Sequence, residues 1–239
     1  MEKSKKVKIT LGLFYLMVVS SFLYFFLSTF TLEELTSYEF IKNNRDYFFG
    51  LKQSNLLLLI SIFLISTIIW FLLAGFASPL ALLAGFIFGK WLGTFILVIG
   101  MSIGATFIYI FGNYFLKEII KEKFSTRFKD LEIKFKKSEF IYLLVYRFIG
   151  GIPFIISNVI PCLFNVKVKN FFWATAIGII PQVFLMVSVG SGLEKVIEKN
   201  LEAPSPKDLI YSPDIYIPIL AFVTLILITI VARKIFYKK

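Results

Sequence analysis

The side chain with the most evident chemistry is an arginine inside an apolar block. Arg147 is the only charged residue of the stretch 140–166, and a charge within a bilayer costs about 2.5–3.5 kcal/mol or more. All 15 acidic residues lie in polar segments or tails, so no carboxylate adjacent in sequence neutralises it. Its partners are then backbone carbonyls, water, an acid folding in from a loop, or an anionic ligand such as a lipid phosphate. The alternative is a side chain that extends to the membrane interface.

Two uncharged amides, Asn158 and Gln182, also lie in apolar surroundings. Each can hydrogen-bond an exposed backbone carbonyl or a lipid headgroup, and each can equally join two helices. Together with Arg147 they are candidate substrate-binding residues.

The residue types that are missing limit the chemistry further. The chain has no histidine, and Cys162 is its single cysteine, which excludes His-based metal ligation, Ser-His or Cys-His nucleophiles and a multi-cysteine metal site. It also has no G-x4-G-K-[ST] motif. We therefore predict that the protein is not an enzyme and has no catalytic residues, no metal and no cofactor.

The elements that must position these side chains are two interrupted apolar segments, residues 78–93 and 146–165. Proline and glycine interrupt a helix and leave backbone N–H and C=O groups without their helical partners. Within a membrane such groups find hydrogen bonds only where protein or a water-filled cavity supplies them. Paired interruptions of this kind are typical of inverted-repeat transporters with a central site, although two proline-kinked helices are the alternative. The residues that these segments add to the candidate substrate-binding site are Pro79, Gly85, Gly89 and Pro153.

The four-residue spacing of Gly85, Gly89 and Gly93 has a second interpretation. Small residues four apart let helices approach closely, so packing is the favoured explanation of the glycine series and substrate passage the alternative.

Composition places these segments in a membrane. The chain is 58% hydrophobic with a mean hydropathy of +0.81, and its apolar blocks are long enough to cross a bilayer. We predict an all-α, polytopic integral membrane protein with two broken or re-entrant segments in an inverted-repeat-like arrangement. Predicted spans cover 9–30, 170–190 and 215–232, with two or three helices in 55–116, and an amphipathic surface helix covers 117–139.

The charge distribution predicts the orientation and the domains. The net charge is +11, and the N-terminal tail, residues 117–139 and the C-terminal tail are basic, which indicates cytoplasmic segments rather than nucleic-acid binding. We predict an N-terminal helix and polar connector over 1–54, a membrane domain over 55–195, and a loop with a C-terminal helix over 196–239.

Several motifs then resemble one family. The runs are GFIFGKWLG, GATFIYIFG, YRFIGGIPFIISNV, FNV and FFWATAIGIIP. Over roughly residues 70–195 the chain resembles the SNARE-associated Golgi protein (VTT domain) family of the DedA superfamily. The residues that resemble the second-half signature are Arg147, Pro153, Asn158, Phe171, Thr175, Gly178 and Pro181.

The resemblance implies two re-entrant loops that face each other across the membrane, with lipid translocation as the activity. Eukaryotic relatives are linked to phospholipid scrambling and bacterial relatives to undecaprenyl phosphate recycling. The chain departs from the transporter pattern because residues 78–89 contain no acid, Pro153 stands where a second arginine is expected, and Asn113 replaces another arginine. Passive movement suits these departures better than proton coupling.

We therefore predict movement of anionic phospholipid or polyprenyl phosphate headgroups through a midplane cavity, with membrane lipids as partners, no nucleic acid, and homo-oligomer formation left open. The alternatives are a small-solute or ion secondary transporter and a non-transporting membrane scaffold. The predicted location is the bacterial inner membrane, with a cytoplasmic N-terminus.

Overall fold

The computed structural model describes residues 47–73, 76–115, 138–149, 154–199 and 211–236, with Lys207 and scattered positions between residues 10 and 28. All regular elements in these residues are helical, which confirms the predicted all-α class. In chain order they are α1 (Leu56–Leu72), α2 (Ala77–Phe88), α3 (Lys90–Phe115), α4 (Glu139–Ile149), α5 (Phe154–Val159), a 3₁₀ helix (Ile160–Phe164), α6 (Val168–Gly178), α7 (Ile180–Lys199) and α8 (Pro213–Phe236).

Helix α1 begins where the sequence changes from polar to apolar. The side chain of Asn55 accepts a hydrogen bond from the Leu58 N–H at 3.0 Å, which satisfies one of the donors that a helix N-terminus leaves unpaired. Residues 47–54 before it are helical as well. From Asn55 onward the uncharged sequence propagates the helix without a charged side chain to bury.

Helix α3 is central to the fold and contacts α1, α2, α5, α6 and α7. Its glycines permit the approach of α1: a Cβ at Gly100 would lie 2.6 Å from the Thr67 side chain, and one at Gly104 would lie 2.8 Å from Phe71 Cβ. The buried apolar side chains form two clusters. One joins α1, α2, α3 and α7, and the other joins α3, α4, the 3₁₀ helix and α6.

Helices α2 and α7 cross at backbone contact. A Cβ at Gly85 would lie 1.9 Å from the Val187 carbonyl oxygen, and one at Gly190 would lie 2.1 Å from the Leu82 carbonyl oxygen. No real Cβ fits at such distances, so glycine is required on both sides of the crossing. Close helix packing, the favoured explanation of the glycine series, is therefore observed at Gly85.

The lengths of the helices divide them into two groups. Within the described residues, α3 with 26 residues and the 19-residue stretch Ile180–Glu198 are long and apolar enough to cross a membrane. Helices α2 and α4 have only 12 and 11 residues, roughly 18 and 16 Å at 1.5 Å per residue. Each covers about half of a hydrocarbon core some 30 Å thick.

The prediction of one continuous span over 170–190 is wrong. The structure has two helices there, because α6 ends at Gly178 and α7 begins at Ile180. Pro181 is the physical cause: it lacks the N–H that would donate to the Ile177 carbonyl in an unbroken helix. The predicted 215–232 span does lie within α8, which extends from Pro213 to Phe236.

Two other predictions fall largely outside the described residues. The amphipathic helix predicted over 117–139 lies outside them except for its last two positions. Of the predicted 9–30 span, the described positions are helical, and the Tyr15 hydroxyl donates to the Leu72 carbonyl at the end of α1.

Candidate functional site

Arg147 is buried inside the helical bundle, with 5% of its surface exposed. Its Nε donates to Thr175 Oγ1 at 3.1 Å, its Nη1 to Ser157 Oγ at 2.8 Å, and its Nη2 to Asn158 Oδ1 at 2.5 Å. Three elements thus meet at one guanidinium: α4 carries the arginine, α5 supplies Ser157 and Asn158, and α6 supplies Thr175. The side chain is enclosed by protein and does not extend to the surface.

The acceptors around Arg147 are all neutral. Hydroxyl and amide oxygens satisfy its geometry, but none of these contacts between described residues is with a carboxylate. Arginine stays protonated in proteins and carries five N–H donors, of which the three contacts use one each. The site therefore holds a full positive charge in a poorly solvated environment, where an unpaired charge is costly.

An aromatic layer lies beside the guanidinium. Arg147 Cζ lies 5.0 Å from the centroid of the Phe171 ring, within the range of a cation–π contact. The Phe171 ring stacks on Tyr109 with centroids 4.4 Å apart, and the Tyr109 hydroxyl donates to the Val166 carbonyl at 2.5 Å. This stack joins α6 to α3 and fixes the wall against which Arg147 lies.

Two polar groups near the arginine have no hydrogen-bond partner among the described residues. Asn158 is completely buried, and its Nδ2 is unsatisfied. Because a guanidinium only donates, the amide oxygen must face Arg147, and this orientation turns Nδ2 away from it. The hydroxyl of Tyr146, the residue before the arginine, is also buried and unpaired. Such groups are uncommon in native proteins, and they give the surroundings of Arg147 two polar atoms with hydrogen-bonding capacity that the described residues do not use.

Gln182 satisfies the end of α4. Its Nε2 donates to the carbonyl oxygens of Arg147 at 3.2 Å and Phe148 at 2.9 Å. In a continuous helix these two oxygens would accept from the N–H groups of residues 151 and 152, beyond the end of α4 at Ile149. Gln182 thus meets two exposed carbonyls and at the same time joins α7 to α4, so the contact agrees with both sequence interpretations, and it acts on the backbone of Arg147 rather than on its charge.

The other end of α4 is held in a similar way. A carboxylate oxygen of Glu139 accepts from the Lys167 N–H at 3.2 Å and from Asn170 Nδ2 at 2.9 Å. Gly178 brings the end of α6 against Arg147, because a Cβ there would lie 2.6 Å from Arg147 Cβ. Helix α4 is thus fixed at both ends and at the arginine itself.

The structure brings together three of the seven predicted site residues: Arg147, Asn158 and Gln182. Pro79 lies in the first turn of α2, where its missing N–H has no helical partner to lose. Gly85 lies at the crossing with α7, and Gly89 ends α2 with φ +76°. None of these three takes part in the contacts of Arg147 described above. Pro153 lies outside the described residues, and the substrate-binding role stays a prediction for all seven.

Ser157 was not predicted, and no sequence signal distinguishes it from other serines in apolar helices. Phe171 and Thr175 were named only through the family resemblance. Their spacing of four places them on one face of α6, which is the signal that could have connected them with Arg147. The described residues hold no group of three or more His, Cys, Asp or Glu that could bind a metal ion.

The fold and this site define a helical protein with apolar helices of membrane-spanning length and a buried cation that has only neutral acceptors among the described residues. Residues 76–192 match the family model of the VTT domain. The central region of the chain, residues 76–192, is therefore a VTT domain of the SNARE-associated Golgi protein/DedA family, as the sequence motifs indicated.

Two curated relatives support the assignment. The chain is similar to "Uncharacterized protein YqeD" of Bacillus subtilis (strain 168), with 30% identity over 135 residues that cover 56% of this chain and 64% of the relative. It is also similar to "Transmembrane protein 41 homolog" of Caenorhabditis elegans, with 25% identity over 136 residues that cover 54% of this chain and 55% of the relative. The matches span less than two thirds of either relative. No solved structure shows a significant match.

Proposed function

We propose that this protein moves lipids with anionic headgroups across a bilayer and that Arg147 is the group that meets the headgroup phosphate. The observation that carries the proposal is the buried guanidinium with three neutral acceptors and no carboxylate partner among the described residues. A phosphate oxygen is a stronger acceptor for a guanidinium than an amide or a hydroxyl, since both partners are then charged. Family membership supports a membrane function for the same site.

The broken helices would provide the route. In the proposed arrangement, the interrupted segments 78–93 and 146–165 are two re-entrant segments that face each other in an inverted repeat, within a polytopic membrane domain over 55–195. The half-length helices α2 and α4 support this arrangement. We further place the protein in the bacterial inner membrane with a cytoplasmic N-terminus, on the charge of its segments.

The conformation described here encloses the arginine. With 5% of Arg147 exposed, a headgroup cannot reach it unless the helices that enclose it, α4, α5 and α6, move apart. A headgroup phosphate would then replace Ser157 or Asn158 as an acceptor, and the spare N–H donors of Arg147 and Asn158 Nδ2 would complete its coordination. Downhill movement suits a sequence without a nucleotide-binding motif and a cation that contacts no acid among the described residues.

The decisive experiment is a dithionite assay on the purified protein in liposomes that contain a fluorescent phospholipid. The parent should expose inner-leaflet lipid to dithionite, and Arg147→Ala should not. Lys195→Ala is the matched control, since it removes a cation that pairs with Asp214 at 2.7 Å on an exposed surface. Equal rates for the parent and a folded Arg147→Ala protein would refute the proposal.

A soluble anion is the second candidate substrate. The tight enclosure of Arg147 fits a small anion at least as well as a headgroup that carries two acyl chains. Uptake of radiolabelled inorganic phosphate into the same liposomes, without lipid movement, would favour this function. If neither lipid nor phosphate moves and Arg147→Ala only lowers stability, the arginine is structural and the scaffold alternative is favoured.

A further inference from the structure

The chain is interrupted after α2, at Gly89, and after α4, at Ile149, and we call these positions the first and the second break. Each leaves backbone carbonyls without the N–H donors of a continuous helix. Gly89 ends α2 with φ +76° and ψ 174°, a conformation that favours glycine. Its own N–H still donates to the Gly85 carbonyl at 2.9 Å. In a continuous helix, the N–H of Trp91 would donate to the carbonyl of Ile87, and the turn at Gly89 removes that geometry. The Ile87 oxygen therefore needs another donor.

Lys52 provides that donor from outside the broken segment. Its Nζ donates to the Ile87 carbonyl at 2.9 Å and lies 5.1 Å from the centroid of the Phe49 ring. The residue belongs to the helical stretch 47–54, which precedes α1 and lies outside the 76–192 family match. A lysine at a helix C-terminus also interacts favourably with the negative end of the helix dipole.

The same stretch packs on the break through apolar side chains. Phe48 and Leu51 contact the buried cluster that contains Ile87 and Phe88. The Phe88 ring packs edge-on against Phe63 of α1 at a centroid distance of 5.2 Å. Residues 47–54 thus pack on the cluster to which the end of α2 belongs, and one directed hydrogen bond joins them to that end.

We infer that Lys52 is a positioning residue that fixes the backbone conformation at the first break, as Gln182 does at the end of α4. In both places a side chain from outside the broken segment donates to carbonyls that the interruption has freed. Residues 47–54 therefore work as one unit with the VTT domain. The inference concerns the shape of the break and holds whatever substrate crosses the membrane.

The test uses a reporter cysteine at the residue whose carbonyl Lys52 binds. The native Cys162 is fully buried, so Ile87→Cys introduces one reporter site, and Ile87 itself is 3% exposed. The rate of N-ethylmaleimide labelling is measured in proteoliposomes of the full chain carrying Ile87→Cys, alone and combined with changes at Lys52. A protein with Cys162 alone gives the baseline.

Lys52→Met keeps the apolar stem and removes the donor, and we expect it to speed labelling by about tenfold or more, because a hydrogen bond from a charged group is lost. Lys52→Arg keeps a charged donor and should label at close to the parental rate. The matched control is Lys90→Met, which removes the same charge from an exposed side chain beside the same break and should leave the rate unchanged.

Three results would overturn the inference. The first is a labelling rate in Lys52→Met within twofold of the parent, and the second is an equal increase in Lys90→Met, which would indicate a general charge effect. The third is a Lys52→Arg protein that labels rapidly, which also decides the question if the methionine variant cannot be purified. Because labelling is independent of transport, the inference can fail while the proposed lipid movement stands, and the reverse.

Discussion

Replacing Asn158 by aspartate tests the role of the Arg147 charge with almost no change of shape. Asn158 Oδ1 lies 2.5 Å from Arg147 Nη2, and the whole residue is buried. Asn158→Asp gives the arginine a permanent counter-ion at the position of its present neutral acceptor. If Arg147 serves to bind a phosphate, the aspartate carboxylate would pair with it in place of the phosphate and compete with lipid binding.

The size of the effect follows from the two kinds of hydrogen bond. A neutral acceptor contributes about 1 kcal/mol net and an ionised one about 1.5–3 kcal/mol. A phosphate that has to displace the aspartate therefore binds about 0.5–2 kcal/mol more weakly, a factor of about 2–30. Stability should stay close to that of the parent, since the attraction within a buried ion pair roughly offsets the desolvation of the new carboxylate.

The assay is the dithionite measurement, with the initial rate of inner-leaflet fluorescence loss compared among three proteins. The control is Asn165→Asp, the same chemical change at an exposed residue that accepts from Asn113 Nδ2. We expect Asn158→Asp to move lipid about 2–30 times more slowly and Asn165→Asp to match the parent. A stable Asn158→Asp protein that moves lipid at the parental rate would show that the free charge of Arg147 is not used for binding.

Three further changes test the packing around the site. Gly85→Ala should destabilise the protein by about 3 kcal/mol or more in detergent unfolding, because the new Cβ would lie 1.9 Å from the Val187 carbonyl oxygen. The control is Gly50→Ala, which should be neutral or slightly stabilising because no atom lies within 4 Å of its Cβ position. Equal effects of the two changes would contradict the α2–α7 crossing. Gln182→Leu should cost about 1–3 kcal/mol, because the end of α4 loses its donor, and unchanged thermal stability would count against that contact. Tyr109→Phe keeps the ring stack but leaves the Val166 oxygen without its donor, so we expect a loss of about 1–3 kcal/mol, and a variant as stable as the parent would show that this hydrogen bond contributes nothing.

The membrane character and the position of the second break follow directly from the sequence. Apolar blocks indicate where the helices lie, because the length of an apolar run can be read from the sequence without knowing the fold. The Gly-Gly-x-Pro run at 150–153 predicts an interruption there, since glycine and proline disfavour a regular helix, and the helix α4 ends at Ile149. Arg147 is identifiable for the same reason: a single charge in an apolar block is conspicuous whatever the fold.

The partners of Arg147 are much harder to predict. Thr175 lies 28 positions away and Ser157 lies 10 positions away, and their convergence depends on how α4, α5 and α6 pack. Lys52 illustrates the same difficulty, because in the sequence it is one of several charges in a polar connector. Its contact with the Ile87 carbonyl arises 35 positions away, from a helix end that only the folded chain creates.

The glycine series shows a different limit. The equal spacing of Gly85, Gly89 and Gly93 suggests one common role, but the structure gives them different ones. Gly85 and Gly93 permit close backbone approach, whereas Gly89 has no atom within 4 Å and is required for its positive φ. Sequence spacing cannot separate these causes, since both need the same missing Cβ.

The central claim is that an anionic headgroup reaches Arg147, and photo-crosslinking tests it most directly. A phosphatidyl lipid with a diazirine beside its phosphate is activated in proteoliposomes, and the labelled peptides are identified by mass spectrometry. We predict labelling of peptides that contain Asn158 and Phe171, suppressed by unlabelled anionic lipid and absent in Arg147→Gln. Labelling confined to exposed residues such as Trp91, and unchanged in Arg147→Gln, would contradict the account.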